Sequence, residues 1–219
     1  MAMAAPEATA RETGTSRALV ALKRMVLRGE LLPGEQLRQE RLAAQLGISR
    51  VPLREALLVL ANQGLLDHKS QQGFVVAKRT HDELAQVHFM LDLLESELLR
   101  TLRWPDEPMI AQLRDLNRRM ADLVEAPDWF EIVELNHKFH STLWSLSTRN
   151  VICEQVERIW PLADAYVARA YRLPKDRQAA VDFHERIIDA VEARDVEALE
   201  QVSSDHRRAT IEGAEPTFL

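Results

Sequence analysis

Three histidines and one asparagine in the second half of the chain occupy positions where a helical repeat calls for apolar residues. Val133, Asn136, His140 and Leu143 recur three or four residues apart, which puts Asn136 and His140 one turn apart on the face that must be buried. His184 shares a face with Val181, Ile187, Ile188 and Val191, and His206 shares one with Leu199, Val202 and Ala209. Three imidazoles from three helices, all aimed into one core, can converge on a divalent ion. Imidazole favours zinc, nickel, copper or iron over calcium or magnesium. The same spacing also fits separate core histidines, each satisfied by its own hydrogen bond. His137 is rotated about 100 degrees from Asn136 and is expected on the exposed side. Trp144 and Trp160 read as core or pocket wall.

A second set of residues is cationic. On a helix expected to begin at Arg50, the residues Leu53, Ala56, Leu57 and Leu60 form the buried face, and Arg50, Val51 and Arg54 lie opposite. Arginine's planar fork suits guanine edges and phosphates alike, so such a helix end can enter a DNA groove. Arg38 and Arg41, just before it, would reach the backbone. The bland alternative is a solvated surface.

Charge supports a nucleic-acid partner only when the chain is divided. The net charge of the 219 residues is −6, yet residues 1–79 hold 12 Lys and Arg against 7 Asp and Glu, while residues 80–219 hold 16 against 27. A basic head on an acidic body is the pattern expected of a DNA-binding unit joined to another domain. Cys153 is the only cysteine, which excludes an intrachain disulfide and a Cys-rich zinc site, and a reducing, cytoplasmic setting is expected. No apolar run is long enough to span a membrane.

The elements that must position these groups follow from periodicity and breakers. Residues 1–15 read as a frayed tail, and a helix is expected from Ser16 with Leu19, Leu22, Met25 and Val26 buried. Pro33-Gly34 forces a turn. A short helix over 39–46 should end at Gly47 in the left-handed conformation, and Ser49 should cap the next helix, with Pro52 in its first turn. Leu65-Leu66 and Phe74-Val75-Val76 flank a polar turn, the pattern of a small hairpin. From Thr80 onward the segments 80–102, 107–125, 128–146, 150–172, 175–193 and 195–212 carry helical spacing, with Pro105, Pro108, Pro127 and Pro174 at their edges. The expected fold is mainly α: a winged helix-turn-helix over 16–79 and an antiparallel bundle of about six helices over 80–219.

The stretch Gly29-Glu30-Leu31-Leu32-Pro33-Gly34-Glu35-Gln36-Leu37, then Leu42 through Leu57, then Gly64-Leu65-Leu66 and Gly73, resembles the DNA-binding domain of the GntR family. By that resemblance Arg50 and Arg54 contact an operator, Val51 lies between them, Arg38 holds a phosphate, and Gln72-Gly73 at the wing tip approaches the minor groove. The run Leu135 through Leu143, followed by His184-Glu185-Arg186-Ile187-Ile188 and His206, resembles the metal-binding branch of the FadR-type C-terminal domain. It implies a divalent transition metal, zinc before nickel, on Asn136, His140, His184 and His206. Metal-binding members commonly have aspartate where this chain has Asn136, and an amide brings no negative charge, so weaker affinity is expected. A small-molecule effector, an organic acid, is expected beside the metal, with Glu95, Arg169 and Arg172 as its contacts. Where related domains often carry an arginine one turn before Glu95, this chain has Leu91.

These features imply a homodimeric repressor on a palindromic operator, released by its effector, and no enzymatic activity. The rival is a metal-dependent hydrolase fused to a DNA-binding head, since a three-histidine site with an open position activates water. Against it, Glu95 is the only candidate general base.

Overall fold

The computed structural model describes residues 13–214. Residues 1–12 of the expected tail lie outside that range, and the first helix begins two residues before Ser16, with Thr13 as its cap. Among the described residues the head comprises α1 (Gly14–Leu27), α2 (Gln39–Leu46), α3 (Arg50–Asn62), β1 (Leu66–Lys69) and β2 (Gly73–Val76). The body comprises α4 (His81–Arg100), α5 (Glu107–Asp122), α6 (Phe130–Trp144), α7 (Asn150–Ala170), α8 (Pro174–Ala193) and α9 (Val196–Ala214).

Gly47 adopts φ 62° and ψ 36° and closes α2, a left-handed geometry that costs glycine nothing. Ser49 occupies the cap position of α3 with extended backbone, but its hydroxyl makes no capping bond. Pro52 stands at the third helical position and removes one of the two N–H groups that such a cap can accept from. Ala18 and Leu22 of α1 pack against Leu53, Ala56, Leu57 and Leu60, all four of which are fully buried.

The wing pairs Leu66 with Val76, Asp67 with Val75, His68 with Phe74 and Lys69 with Gly73. β1 runs on through the polar residues His68 and Lys69, where side-chain pattern gives no strand signal; the His68 ring packs tilted against Phe74, with ring centroids 4.8 Å apart. The residues after Pro33 also join the wing. Gly34 N–H donates to Val76 O at 2.9 Å and Leu37 N–H to Phe74 O at 2.8 Å, so the turn feeds a third, bridge-length strand.

In the body, Thr80 and Glu83 form a reciprocal capping box at the start of α4. α6 buries a broad face, from Phe130 and Ile132 to Leu143 and Trp144, and leaves Glu131, Glu134 and Lys138 as a narrow exposed stripe. Around it α5 packs on α8, α8 on α9, and α7 on both α4 and α9. Pro161 lies inside α7 rather than at an edge and removes one helical hydrogen bond there.

Head and body are joined by charge and by close packing. Lys23 Nζ lies 2.7 Å from Glu134 Oε1 and 2.9 Å from Asp164 Oδ2, and the Asp164 side chain is 1% exposed. Arg24 sits over the Phe130 ring, 4.9 Å from its centroid. Gly64, at φ +73°, lies under Leu162; a Cβ there would collide with the leucine Cδ2.

Candidate nucleic-acid interface and metal centre

The first helical turns of α3 expose Arg50, Val51 and Arg54 on the side opposite the buried leucines. Val51 is 67% exposed, an apolar side chain left largely to solvent. A thymine methyl is the kind of surface it would cover. Arg50 forms an ion pair with Glu40 on α2. Both partners are largely exposed, so the pair is worth little and a phosphate or base edge can displace it. Arg38 and Arg41 are exposed at the start of α2. At the wing tip, Gln36 donates to the Gln72 carbonyl at 2.6 Å, and Gln71 and Gly73 both take positive φ to make the tight return.

In the body the structure brings the three histidines together. His140 Nε2 lies 3.3 Å from Nε2 of His206 and 3.3 Å from Nε2 of His184. One ligand atom from each of the three lies within 4.8 Å of the others, and all three residues are buried. Burial, with the neighbouring imidazoles second, holds His140 and His184 well below the ordinary histidine range, and burial lowers His206 to about 3. The rings are therefore neutral near pH 7 and keep lone pairs for an ion. Bonds of about 2.0–2.1 Å to a tetrahedral ion would place neighbouring nitrogens about 3.3–3.4 Å apart, which the His140–His206 and His140–His184 pairs match. The three imidazoles thus fit a divalent transition metal. His184 is fixed by stacking on Phe139, centroids 4.0 Å apart, and His140 by Trp144 and Trp160.

Asn136 faces the same cavity, and its amide oxygen accepts a 2.8 Å hydrogen bond from the buried Tyr171 hydroxyl. Glu95, also on the cavity wall, is 2% exposed and raised to about 7, because burial outweighs the Arg207 guanidinium 3.3 Å away. The inner cavity measures about 30 Å³. That holds an ion or a water molecule but no organic acid.

Arg207 also belongs to this site. It enters from α9, bonds Asp92 at 2.7 Å and Glu95 at 3.3 Å, and separates the inner cavity from an outer pocket of about 360 Å³ between α4 and α9. Its only sequence signal is adjacency to His206. Arg169 and Arg172, expected beside the metal, lie instead along a cleft between body and head. His137 is not a fully exposed residue: its side chain is 25% exposed and stacks on Trp160, centroids 5.6 Å apart, with Nε2 3.3 Å from Glu157.

A winged helix-turn-helix joined to an all-helical body carrying a buried histidine centre defines the class, a DNA-binding transcription regulator. Residues 15–76 match the family model described as bacterial regulatory proteins, gntR family, and residues 86–209 match the FCD domain. The chain belongs to the GntR family, in the branch with a C-terminal FCD domain. McbR, an HTH-type transcriptional regulator of Escherichia coli K12, is 28% identical over 181 residues, covering 80% of this chain and 81% of its own length. A Streptomyces ambofaciens HTH-type regulator from an unstable DNA locus is 31% identical over 201 residues, covering 89% and 82%. The gluconate operon transcriptional repressor of Bacillus subtilis is 25% identical over 184 residues, covering 80% and 74%. Among solved structures, Escherichia coli McbR/YncC has a TM-score of 0.75 at 22% identity, with 94% of this chain and 99% of that one covered; it shows a shared fold. The family and these relatives are transcription regulators, not enzymes, which sets aside the hydrolase alternative. Among the described residues no helix is long and apolar enough to cross a membrane.

Proposed function

We propose that this chain is a cytoplasmic, homodimeric repressor that reads a palindromic operator with α3 and the wing, and answers to a small organic acid bound beside a divalent transition metal, zinc first. The observation that carries the DNA-reading part is α3 itself, whose inward face is fully buried while Arg50, Val51 and Arg54 are exposed at its N-terminal end. Arg38 would hold a phosphate, and Gln72-Gly73 would approach the minor groove. The repressor direction is supported by the relative that governs the gluconate operon. The dimer is supported by Phe89, Met90 and Leu93, which leave α4 with apolar side chains 65%, 40% and 55% exposed.

His140, His184 and His206 would hold the metal, with Asn136 as a fourth, uncharged donor if Tyr171 releases it. When bound, the ion would supply a Lewis-acid anchor for the effector's carboxylate. The acid would enter through the outer pocket and draw Arg207 away from Asp92 and Glu95, opening the inner cavity. Trp160, Ala163 and Val167 of α7 line that cavity, and Leu162 and Asp164 of the same helix touch the head. A displacement of α7 would therefore reach α1 through the Lys23 contact. The effector controls the operator only to the extent that it prefers one of the two arrangements.

Two measurements test this reading. Plasma mass spectrometry of the purified chain should find about one transition-metal ion per chain, lost in His184→Ala. Selection from random duplex DNA should enrich a palindrome whose half-sites lie about one helical turn apart. A chain that takes up no metal after zinc loading would remove the metal, and a selection without a symmetric motif would remove the dimeric operator reading.

A further inference from the structure

We propose that the cleft between head and body is a second ligand site, distinct from the histidine centre, and that it takes an amphipathic organic anion with a flat apolar body and one carboxylate or phosphate group. Its volume is about 570 Å³, within the range that small ligands occupy. The loop after α1 and the end of β2 form one wall, and the start of α4, the segment before α6 and α7 form the other. The apolar lining includes the buried Leu31, Leu65, Val76 and Leu84. Trp129 stands half-buried beside them, and its indole N–H has no acceptor among the described residues.

The charged lining is of one sign. Arg28, Lys78, Arg79, Arg169 and Arg172 border the cleft, and among the described residues no Asp or Glu does. Arg28 is partly neutralised by Glu30 at 3.5 Å and Asp128 at 3.8 Å, and Arg79 donates to the Gly64 carbonyl at 3.1 Å. Lys78 and Arg172 make no ion pair among the described residues, so their charge is available to an incoming anion. Concentrating like charge around an apolar cavity focuses the potential there and selects an anion over a neutral molecule of the same shape. α7 separates this cleft from the metal cavity: Ala163 and Val167 face inward, while Leu162 and Ala168 face the cleft. An occupant would touch both domains at once and bias how the head sits on the body.

The test is calorimetric titration of the full chain with 2-naphthoate and 2-naphthyl phosphate, using 2-naphthalenemethanol as the uncharged counterpart. At least one anion should bind below roughly 1 mM, and the alcohol at least about tenfold more weakly. The double variant Lys78→Glu/Arg172→Glu, both residues being exposed, should lose about tenfold or more in affinity, while Arg118→Glu on the far surface of α5 should not. Binding should also change the tryptophan emission, and Trp129→Phe should remove that change. Absence of binding by either anion, equal binding of the alcohol, or anion binding indifferent to the charge reversal and to Trp129 would each overturn the proposal. None of these arms reads metal content, so the cleft and the histidine centre stand or fall separately.

Discussion

Tyr171 holds the amide oxygen of Asn136, so the one amide of the donor set is engaged by the protein itself. Substituting Asn136→Asp puts a negative charge beside three neutral imidazoles and should tighten zinc retention by about tenfold, read by competition with a chelator. Unchanged retention would mean that Asn136 serves Tyr171 and never reaches the ion. On the DNA side, Arg54→Ala should weaken operator binding by about 1–3 kcal/mol and relax preference at one base pair if the guanidinium reads a base edge. A loss that is uniform across sequences, with a shallower salt dependence, would assign Arg54 to a phosphate instead. Quantitative gel shifts on the selected palindrome and its point variants separate the two.

At the scale of elements, α3 is held by one face alone. Leu57 is fully buried in the head's core, and Leu57→Ala should cost about 2–5 kcal/mol, visible as a lower denaturant midpoint. Gly47→Val tests the turn between α2 and α3, since a β-branched residue at φ 62° is strained however open the surrounding space. A loss of roughly 1–2 kcal/mol is expected. Retained stability would mean that the turn relaxes, and the angle between the two helices would then shift. The limits of pattern reading are plain in the wing. Phe74, Val75 and Val76 announced a strand, but His68 and Lys69 did not, because edge pairing is made by backbone groups that carry no side-chain signature.

For the whole molecule the decisive contact is Lys23 with Asp164 and Glu134, the charged bridge from the DNA-reading head to α7. Burial raises the Asp164 carboxyl above its ordinary range, with Lys23 opposing that rise. Lys23→Met leaves that carboxylate without its cation and should cost about 3–5 kcal/mol, while adding Asp164→Leu should recover most of the loss. A single variant as stable as the parent would show that head and body are joined by packing alone. Whether Phe89 and Leu93 meet a second copy is read by sedimentation: the proposed dimer should dissociate to a monomer in Phe89→Glu/Leu93→Glu, and a dimer that persists in that variant would place the contact elsewhere.

Helical period, proline and glycine punctuation and the inward register of His140, His184 and His206 were all determined by the sequence, because each is a local property of spacing along the chain. So was the division of α3 into a leucine face and an arginine face. Only the tertiary structure decided that the three imidazoles come within 4.8 Å of one another, that Arg207 lines their cavity, and that Arg169 and Arg172 belong to another one. Those outcomes depend on how α7 and α9 pack across the bundle and on which long polar side chains find partners there. Spacing within one helix carries no information about either.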